Sequence, residues 1–284
     1  MSWLTAALAG APCVPGGLRH LPWPADRIPL RDAVARSVEV ATGSAALPFE
    51  SLHERAAQEC QLPEGDRPNP LTGTLSSAGP AAIEAYHTLV SHLAREVLGT
   101  DVVFEHDPPL RFRFPVPMPP RFRTPDGTPL GHHTDTLYGD PFEQLNCWVP
   151  LSDCKGEAGL QYAPFEVSSG LLTGFAADTE LDEHGWMRGR DQFFDWLLSH
   201  EDRRRDLLEA TVPLELRYGE MAMFDPRVLH ATADNIGGRT RVSVDFRLVP
   251  VDDYERIVAR DRGPVIDDWL VRGGYYDRRT AFEL

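Results

Sequence analysis

The stretch "RVSVDFRLVP", residues 241–250, constrains the fold more than any other segment of the chain. Successive side chains on a strand point to opposite faces. Val242, Val244, Phe246 and Leu248 therefore share one face, while Arg241, Ser243, Asp245 and Arg247 share the other. An ordinary half-buried strand turns its polar face to water, whereas a barrel whose mouth is a polar site can turn it inward. The company this strand keeps favours the second arrangement. From Pro108 onward, "LRFRFPVPM", "QLNCWVPL", "LQYAPFEV", "ATVPLELRYG" and "EMAMFD" are short, alternating and broken by Pro or Gly. That spacing predicts a sandwich or barrel of antiparallel strands, mainly β, with helices flanking it.

The flanking helices are read from a different period. Residues 1–107 are predicted to be mostly helical, most clearly over "GPAAIEAYHTLVSHLAREVLG", where Ile83, Tyr86, Leu89, Val90, Leu93 and Val97 form one stripe and Gly99 a stop. The strand-rich part, 108–250, is interrupted at about 175–210 by a charged segment with a helical stripe at Phe193, Trp196, Leu197 and Leu207. That insertion is either a surface excursion or a lid over the barrel mouth. Residues 251–284 form a helical or irregular tail. With no repeat, low-complexity run or linker, residues 1–284 are expected to form a single domain.

Charge and cysteine content narrow the partners. The formal net charge of -15 argues against nucleic acid and anionic membrane surfaces, and is compatible with a small amine-bearing substrate. Cys13, Cys60, Cys147 and Cys154 form no C-x-x-C pair, so free thiols are expected. The N-terminal apolar run lacks a basic region before it, and no segment approaches the ~20 apolar residues of a membrane span. A cytoplasmic protein is the expectation; the sequence does not set the oligomeric state.

In "GHHTDTLYGD", residues 131–140, His133 and Asp135 make an H-x-D pair on a predicted strand, where alternation puts both on one face. His132 points the other way and is expected to take no part. A second histidine would complete a two-histidine, one-carboxylate triad, which leaves three positions of an octahedral Fe(II) open for co-substrate and oxygen. His184 and His200 lie in the charged insertion, where a solvated side chain is expected. His230 sits between two predicted strands, at the place for a ligand from the opposite sheet. Eleven residues later, Arg241 and Ser243 offer a guanidinium fork and a hydroxyl, which suit the far carboxylate of a dicarboxylate such as 2-oxoglutarate. The alternative for this strand is a plain edge laced with salt bridges.

Together "GHHTDTLYGDPFEQLNCWVPLSD" and "HATADNIGGRTRVSVDFRLVP" resemble the Fe(II)/2-oxoglutarate-dependent dioxygenases, and within them the hydroxylases of antibiotic biosynthesis, including streptomycin-cluster types. The resemblance covers about residues 110–250. It rests on His133, Asp135, Tyr138, Gly139, Glu143, Asn146, Trp148, Pro150, His230, Asn235 and the Arg241–Arg247 strand. It implies a double-stranded β-helix (a jelly-roll, cupin-like core) with iron on His133, Asp135 and His230. Arg241 and Ser243 would anchor 2-oxoglutarate, with Arg239 the nearest rival, and O2 would be the oxidant. Gln144, Asn146 and Trp148 would line the pocket, Asn146 beside the co-substrate. Asp135 disfavours a halogenase, which has a small residue at that position. Hydroxylation, desaturation, ring closure and epimerisation stay open. The expected substrate is an amino acid, free or carrier-linked, or a specialised-metabolite intermediate.

Lesser candidates are Arg111, Arg113, Arg121 and Arg123, solvated by default, the Asp126-Gly127 turn near the mouth, and Trp186 and Asp191 if the insertion is a lid. Two other readings keep the fold: a cupin-like isomerase or oxidase that uses no keto acid, and a non-catalytic ligand-binding jelly roll.

Overall fold

The computed structural model describes residues 3–42, 48–54, 73–115, 124, 127–128, 130–154, 159–181, 186, 188–232 and 234–260. Its centre is the strand that opened the sequence argument. We number strands in chain order: β1 (Leu18–Pro22), β2 (Gly73–Thr74), β3 (Val102–Phe104), β4 (Pro109–Arg113), β5 (Leu145–Pro150), β6 (Leu160–Tyr162), β7 (Val212–Leu214), β8 (Glu220–Phe224), β9 (His230–Thr232) and β10 (Arg241–Pro250). The major sheet runs β1-β8-β5-β10-β4-β2, with β3 also paired to β10. All its pairings are antiparallel. The minor sheet is β7-β6-β9, extended by a bridge between His133 and His230.

Register fixes which side chains share a face. Opposite β10, Arg247 meets Asn146, Asp245 meets Trp148 and Ser243 meets Arg111. One face of the major sheet is therefore polar across several strands. The other is apolar: Phe112, Val149, Val242, Val244, Phe246 and Leu248 are buried against helices α2 (Leu30–Thr42) and α3 (Pro80–His92). Tyr86 of α3 packs edge-on against Phe246, with ring centroids 5.1 Å apart. Full burial of such side chains contributes roughly 1.5–3 kcal/mol each. The predicted stripe on α3 is this contact surface, and Gly99, at φ 66°, ends the segment in the left-handed conformation a glycine accepts without strain.

The insertion is a packed layer. Helices α4 (Phe165–Thr179), α5 (Arg190–Ser199) and α6 (Glu201–Ala210) close a second apolar cluster around Phe175, Trp186, Phe193, Trp196 and Leu207. That cluster takes in Leu137 and Leu229, close along the chain to the H-x-D segment and His230. Helix α1 (Trp3–Ala9) joins it through Leu4 and Leu8. The chain after α1 is pinned by the buried Arg227–Asp225 pair (2.8 Å), whose guanidinium also donates to the carbonyls of Ala7, Gly10 and Ala11. Helix α7 (Val251–Arg260) follows β10 directly.

Two expectations need correction. The first 107 residues are not wholly helical, since β1, β2 and β3 lie within them. These strands are short and weakly patterned, and their hydrogen-bond partners lie far along the chain. The predicted strand "LQYAPFEV" ends at Tyr162, because Pro164 opens α4, a position where its missing N–H costs nothing. The tail is helical to Arg260, and the rest lies outside the described residues.

Candidate metal centre

The two sheets enclose a cleft, and the bridge between His133 and His230 sits at one wall of it. The two residues exchange both backbone hydrogen bonds, N–H to carbonyl at 3.0 Å in each direction, so their Cα positions are locked together. Asp135 arrives differently from the sequence expectation. It does not continue a strand; it starts a 3-10 turn, Asp135–Tyr138, that Gly139 closes at φ 92°. Thr134 is extended and its hydroxyl pairs with that of Thr136 at 3.0 Å. Alternation alone would have put Asp135 beside His133, and the turn brings it to the same cluster by a sharper route.

Each of His133, Asp135 and His230 offers an atom within 4.8 Å of the others. The ring nitrogens are sorted by their second partners. Nδ1 of His133 lies 2.9 Å from the Gly131 carbonyl, and Nδ1 of His230 lies 3.0 Å from the Val228 carbonyl. A carbonyl accepts only, so both Nδ1 atoms carry hydrogen and both Nε2 atoms present a lone pair. Burial, aided by His230, pushes the His133 imidazole down to about 3, which keeps it neutral. Burial alone would raise the Asp135 carboxyl; Arg247 and the two histidines outweigh it and hold the group at about 2.

Arg247 is the residue sequence reasoning passed over. Its Nε and Nη2 both donate to Asp135 Oδ2, at 3.1 and 2.9 Å, while Nη1 reaches Glu105 Oε2 at 3.4 Å. Asp135 Oδ1 faces His230 Nε2 at 3.7 Å. Burial raises Glu105 to about 8 despite Arg247, whose guanidinium is already shared with Asp135. The signal was present: Arg247 has the same parity as Arg241 on β10, and only the long-range pairing partner was invisible.

Arg241 is 2% exposed and lines the same cleft, its guanidinium 5.7 Å from the Trp148 ring centroid. Ser243 is fully buried and does not line the cleft, and its Oγ has no hydrogen-bond partner among the described residues. Asn146 lines the cleft; its Oδ1 accepts from Gln144 Nε2 at 2.9 Å, and its Nδ2 has no partner among the described residues. Gln144 does not line the cleft. It steadies Asn146 and Asp140 from behind, correcting its predicted place. Trp148 does line it.

The other sequence candidates separate cleanly. His132 is buried with Nε2 2.9 Å from Thr211 Oγ1, away from the cluster. His200 pairs with Asp178 at 3.8 Å on the helical layer. Arg111, expected to be solvated, lines the cleft and donates to Asp245 Oδ2 at 2.7 Å. Arg113 is half-buried, and burial with Arg241 and Arg111 nearby lowers it to about 10. Arg239 is exposed and does not line the cleft. Trp186, a candidate for substrate contact only if the insertion is a lid, is fully buried in the second apolar cluster, and Asp191 pairs outward with Arg190 at 2.9 Å. Arg190 in turn donates to the Tyr138 hydroxyl at 3.0 Å, so the helical layer does meet the rim of the cleft. His184, Arg121, Arg123 and Asp126 lie outside the described residues.

The residues present fit an iron site with a keto-acid co-substrate. Two imidazole lone pairs and one carboxylate oxygen converge, and no other such cluster exists among the described residues. Asn146 Nδ2, a buried donor that lines the cleft without a partner among the described residues, calls for an acceptor on the ligand. The cavity measures about 230 Å³, below the ~300–1,000 Å³ typical of drug-sized ligands.

Two antiparallel sheets around a His-Asp-His cluster define a double-stranded β-helix enzyme of the non-haem iron class. The chain belongs to the phytanoyl-CoA dioxygenase (PhyH) family, whose pattern matches residues 63–243 and so includes all three residues of the cluster, Arg241 and Ser243. It is an Fe(II)/2-oxoglutarate-dependent oxygenase that consumes O2. No curated protein matches the sequence. Among solved structures, AviO1 from Streptomyces viridochromogenes Tue57 is similar at 15% identity, over 82% of this chain and 90% of that one, with a TM-score of 0.48. EctD from S. alaskensis, in its apoform, is 17% identical over 89% and 78%, TM-score 0.48. SnoN, a non-haem α-ketoglutarate-dependent epimerase from nogalamycin biosynthesis, is 13% identical over 83% and 78%, TM-score 0.45. No helix among the described residues is long and apolar enough to cross a membrane.

Proposed function

We propose that this oxygenase hydroxylates a small molecule, an amino acid or specialised-metabolite intermediate, using iron held by His133, Asp135 and His230. The observation that carries the assignment is the convergence of those three side chains within 4.8 Å at the wall of a cleft that Arg241 also lines. Iron with 2-oxoglutarate and oxygen supplies the oxidising power. The protein's own groups do the rest. His133 and His230 are oriented by the carbonyls behind them, which accept from Nδ1 and turn Nε2 toward the cluster, and burial keeps His133 neutral. Arg241 takes the distal carboxylate of 2-oxoglutarate, with Ser243 Oγ and Asn146 Nδ2 as further donors. Trp148, Phe224 and Leu160 give that part of the cleft apolar walls that limit water. Asp245, whose Oδ1 has no donor among the described residues, supports an amine-bearing substrate, as does the net charge of -15.

The test is anaerobic. Fe(II) and then 2-oxoglutarate are added to the apo-protein, and the visible charge-transfer band of a chelated keto acid is sought. The band is expected in the wild type and absent in His230→Ala. Iron binding without a band would transfer the assignment to a cupin-like enzyme that needs no keto acid. Failure to bind iron at all would leave a ligand-binding jelly roll.

A further inference from the structure

The geometry points to Arg247 as a positioning residue that makes Asp135 a one-oxygen ligand and so keeps the third open position of the metal free. The inference rests on the metal assignment proposed above. A carboxylate can hold an ion through one oxygen or both. Here two N–H groups of one guanidinium are committed to Oδ2, at 3.1 and 2.9 Å, in the charge-assisted geometry that is roughly twice as strong as a neutral hydrogen bond. Only Oδ1 is left, and it is the oxygen that faces His230 Nε2 at 3.7 Å. Chelation through both oxygens would have to break those bonds inside a buried cluster, where a lost charge-assisted bond costs most.

The guanidinium is itself held. Nη1 reaches Glu105 Oε2 at 3.4 Å, the Arg247 carbonyl accepts from the Glu105 N–H at 3.1 Å, and the Glu105 carbonyl accepts from the Tyr86 hydroxyl at 2.5 Å. Tyr86 is fully buried on α3 against Phe246. A line of contacts therefore runs from α3 to Asp135, through the Tyr86 hydroxyl, the Glu105 backbone and carboxyl, and the Arg247 guanidinium. Its chemical consequence is a count of positions. On an octahedral ion, two imidazoles and one carboxylate oxygen would fill three positions and a keto acid two, which would leave one. A chelating Asp135 would fill that last position. Lysine cannot replace Arg247, because a point charge lacks the planar fork that covers one oxygen with two bonds.

Arg247→Met and Arg247→Lys are made in a Glu105→Gln background, which removes the buried carboxyl that also contacts the guanidinium, and Glu105→Gln alone is the reference. Mn(II) alone is titrated into each folded protein by electron paramagnetic resonance, followed by the anaerobic Fe(II) and 2-oxoglutarate band. Loss of a residue directly behind a metal ligand typically weakens metal binding about 10–100-fold. Both variants are expected to show such weakening or an altered Mn(II) spectrum, with a shifted or weakened keto-acid band, and lysine to restore neither. A purely structural role would lower the melting temperature while leaving affinity, spectrum and band at the reference values, and that result overturns the inference. Should the reference protein itself show no iron band, the functional assignment fails instead, which the same experiment distinguishes.

Discussion

The two faces of the major sheet are built from the same strands and behave as opposites. On β10, Val242, Val244, Phe246 and Leu248 pack against α2 and α3, while Arg241, Ser243, Asp245 and Arg247 look toward the minor sheet. The apolar face is non-directional: its value scales with area removed from water, and neighbours of similar volume can substitute. The polar face depends on pairing, because a buried charge or donor without a partner costs more than its partnered form gains. Arg247 has Asp135 and Glu105, and Arg111 has Asp245. Ser243 Oγ and Asn146 Nδ2 have none among the described residues. Of these only Asn146 lines the cleft, beside Arg241, where a carboxylate ligand is proposed.

Substitutions on the two faces should therefore fail in different ways. The largest effect belongs to Asp135→Ala, which removes one of three proposed metal ligands. Iron-dependent turnover is expected to vanish in a protein that still folds, checked by steady-state assay beside circular dichroism. Phe246→Ala, next to Asp245 in the chain and therefore on the opposite face of β10, should cost about 3–5 kcal/mol of stability. Its folded fraction should keep the wild-type 2-oxoglutarate requirement, and a selective rise in that requirement would break the comparison.

Arg241→Ala should raise the 2-oxoglutarate requirement by about 10–100-fold, the 1.5–3 kcal/mol of a hydrogen bond to a charged group, and weaken iron binding far less. An unchanged requirement would move the anchor elsewhere. Ser243→Ala should act in the same direction but by roughly tenfold or less, since a neutral donor contributes about 0.5–1.5 kcal/mol.

A further expectation is a pH dependence. Glu105 titrates near 8 in the folded protein, well above the usual 4.5, because burial disfavours its charge. Protonation thus favours folding. This contribution is complete below about 4.5 and is lost as pH rises through about 8. Glu105→Gln should flatten the melting-temperature profile across that interval, and an unchanged slope would mean that Arg247 keeps the carboxylate ionised throughout.

How far the sequence reached depended on whether a feature was local. Alternation in 241–250 and the stripe from Ile83 to Val97 are written in consecutive residues, so the strand and the helix were legible, as were the residue types at His133, Asp135, His230 and Arg241. The 3-10 turn at Asp135 was misread as strand because "HHTDT" alternates acceptably and the closing role of Gly139 appears only once φ is known. Strand β1 was missed because "LRHLP" carries little pattern of its own and is made a strand by its pairing with β8. Trp186 is a substrate candidate on the sequence only if the insertion is a lid, and Phe142 and Phe175 enclose it in the apolar cluster. The periodicity of the chain determined that a polar face and an apolar face would exist on one strand. Which of them met helices and which met a second sheet, and that Arg247 would reach Asp135 rather than solvent, depended on contacts between residues distant in sequence, and only the packed tertiary structure decides those.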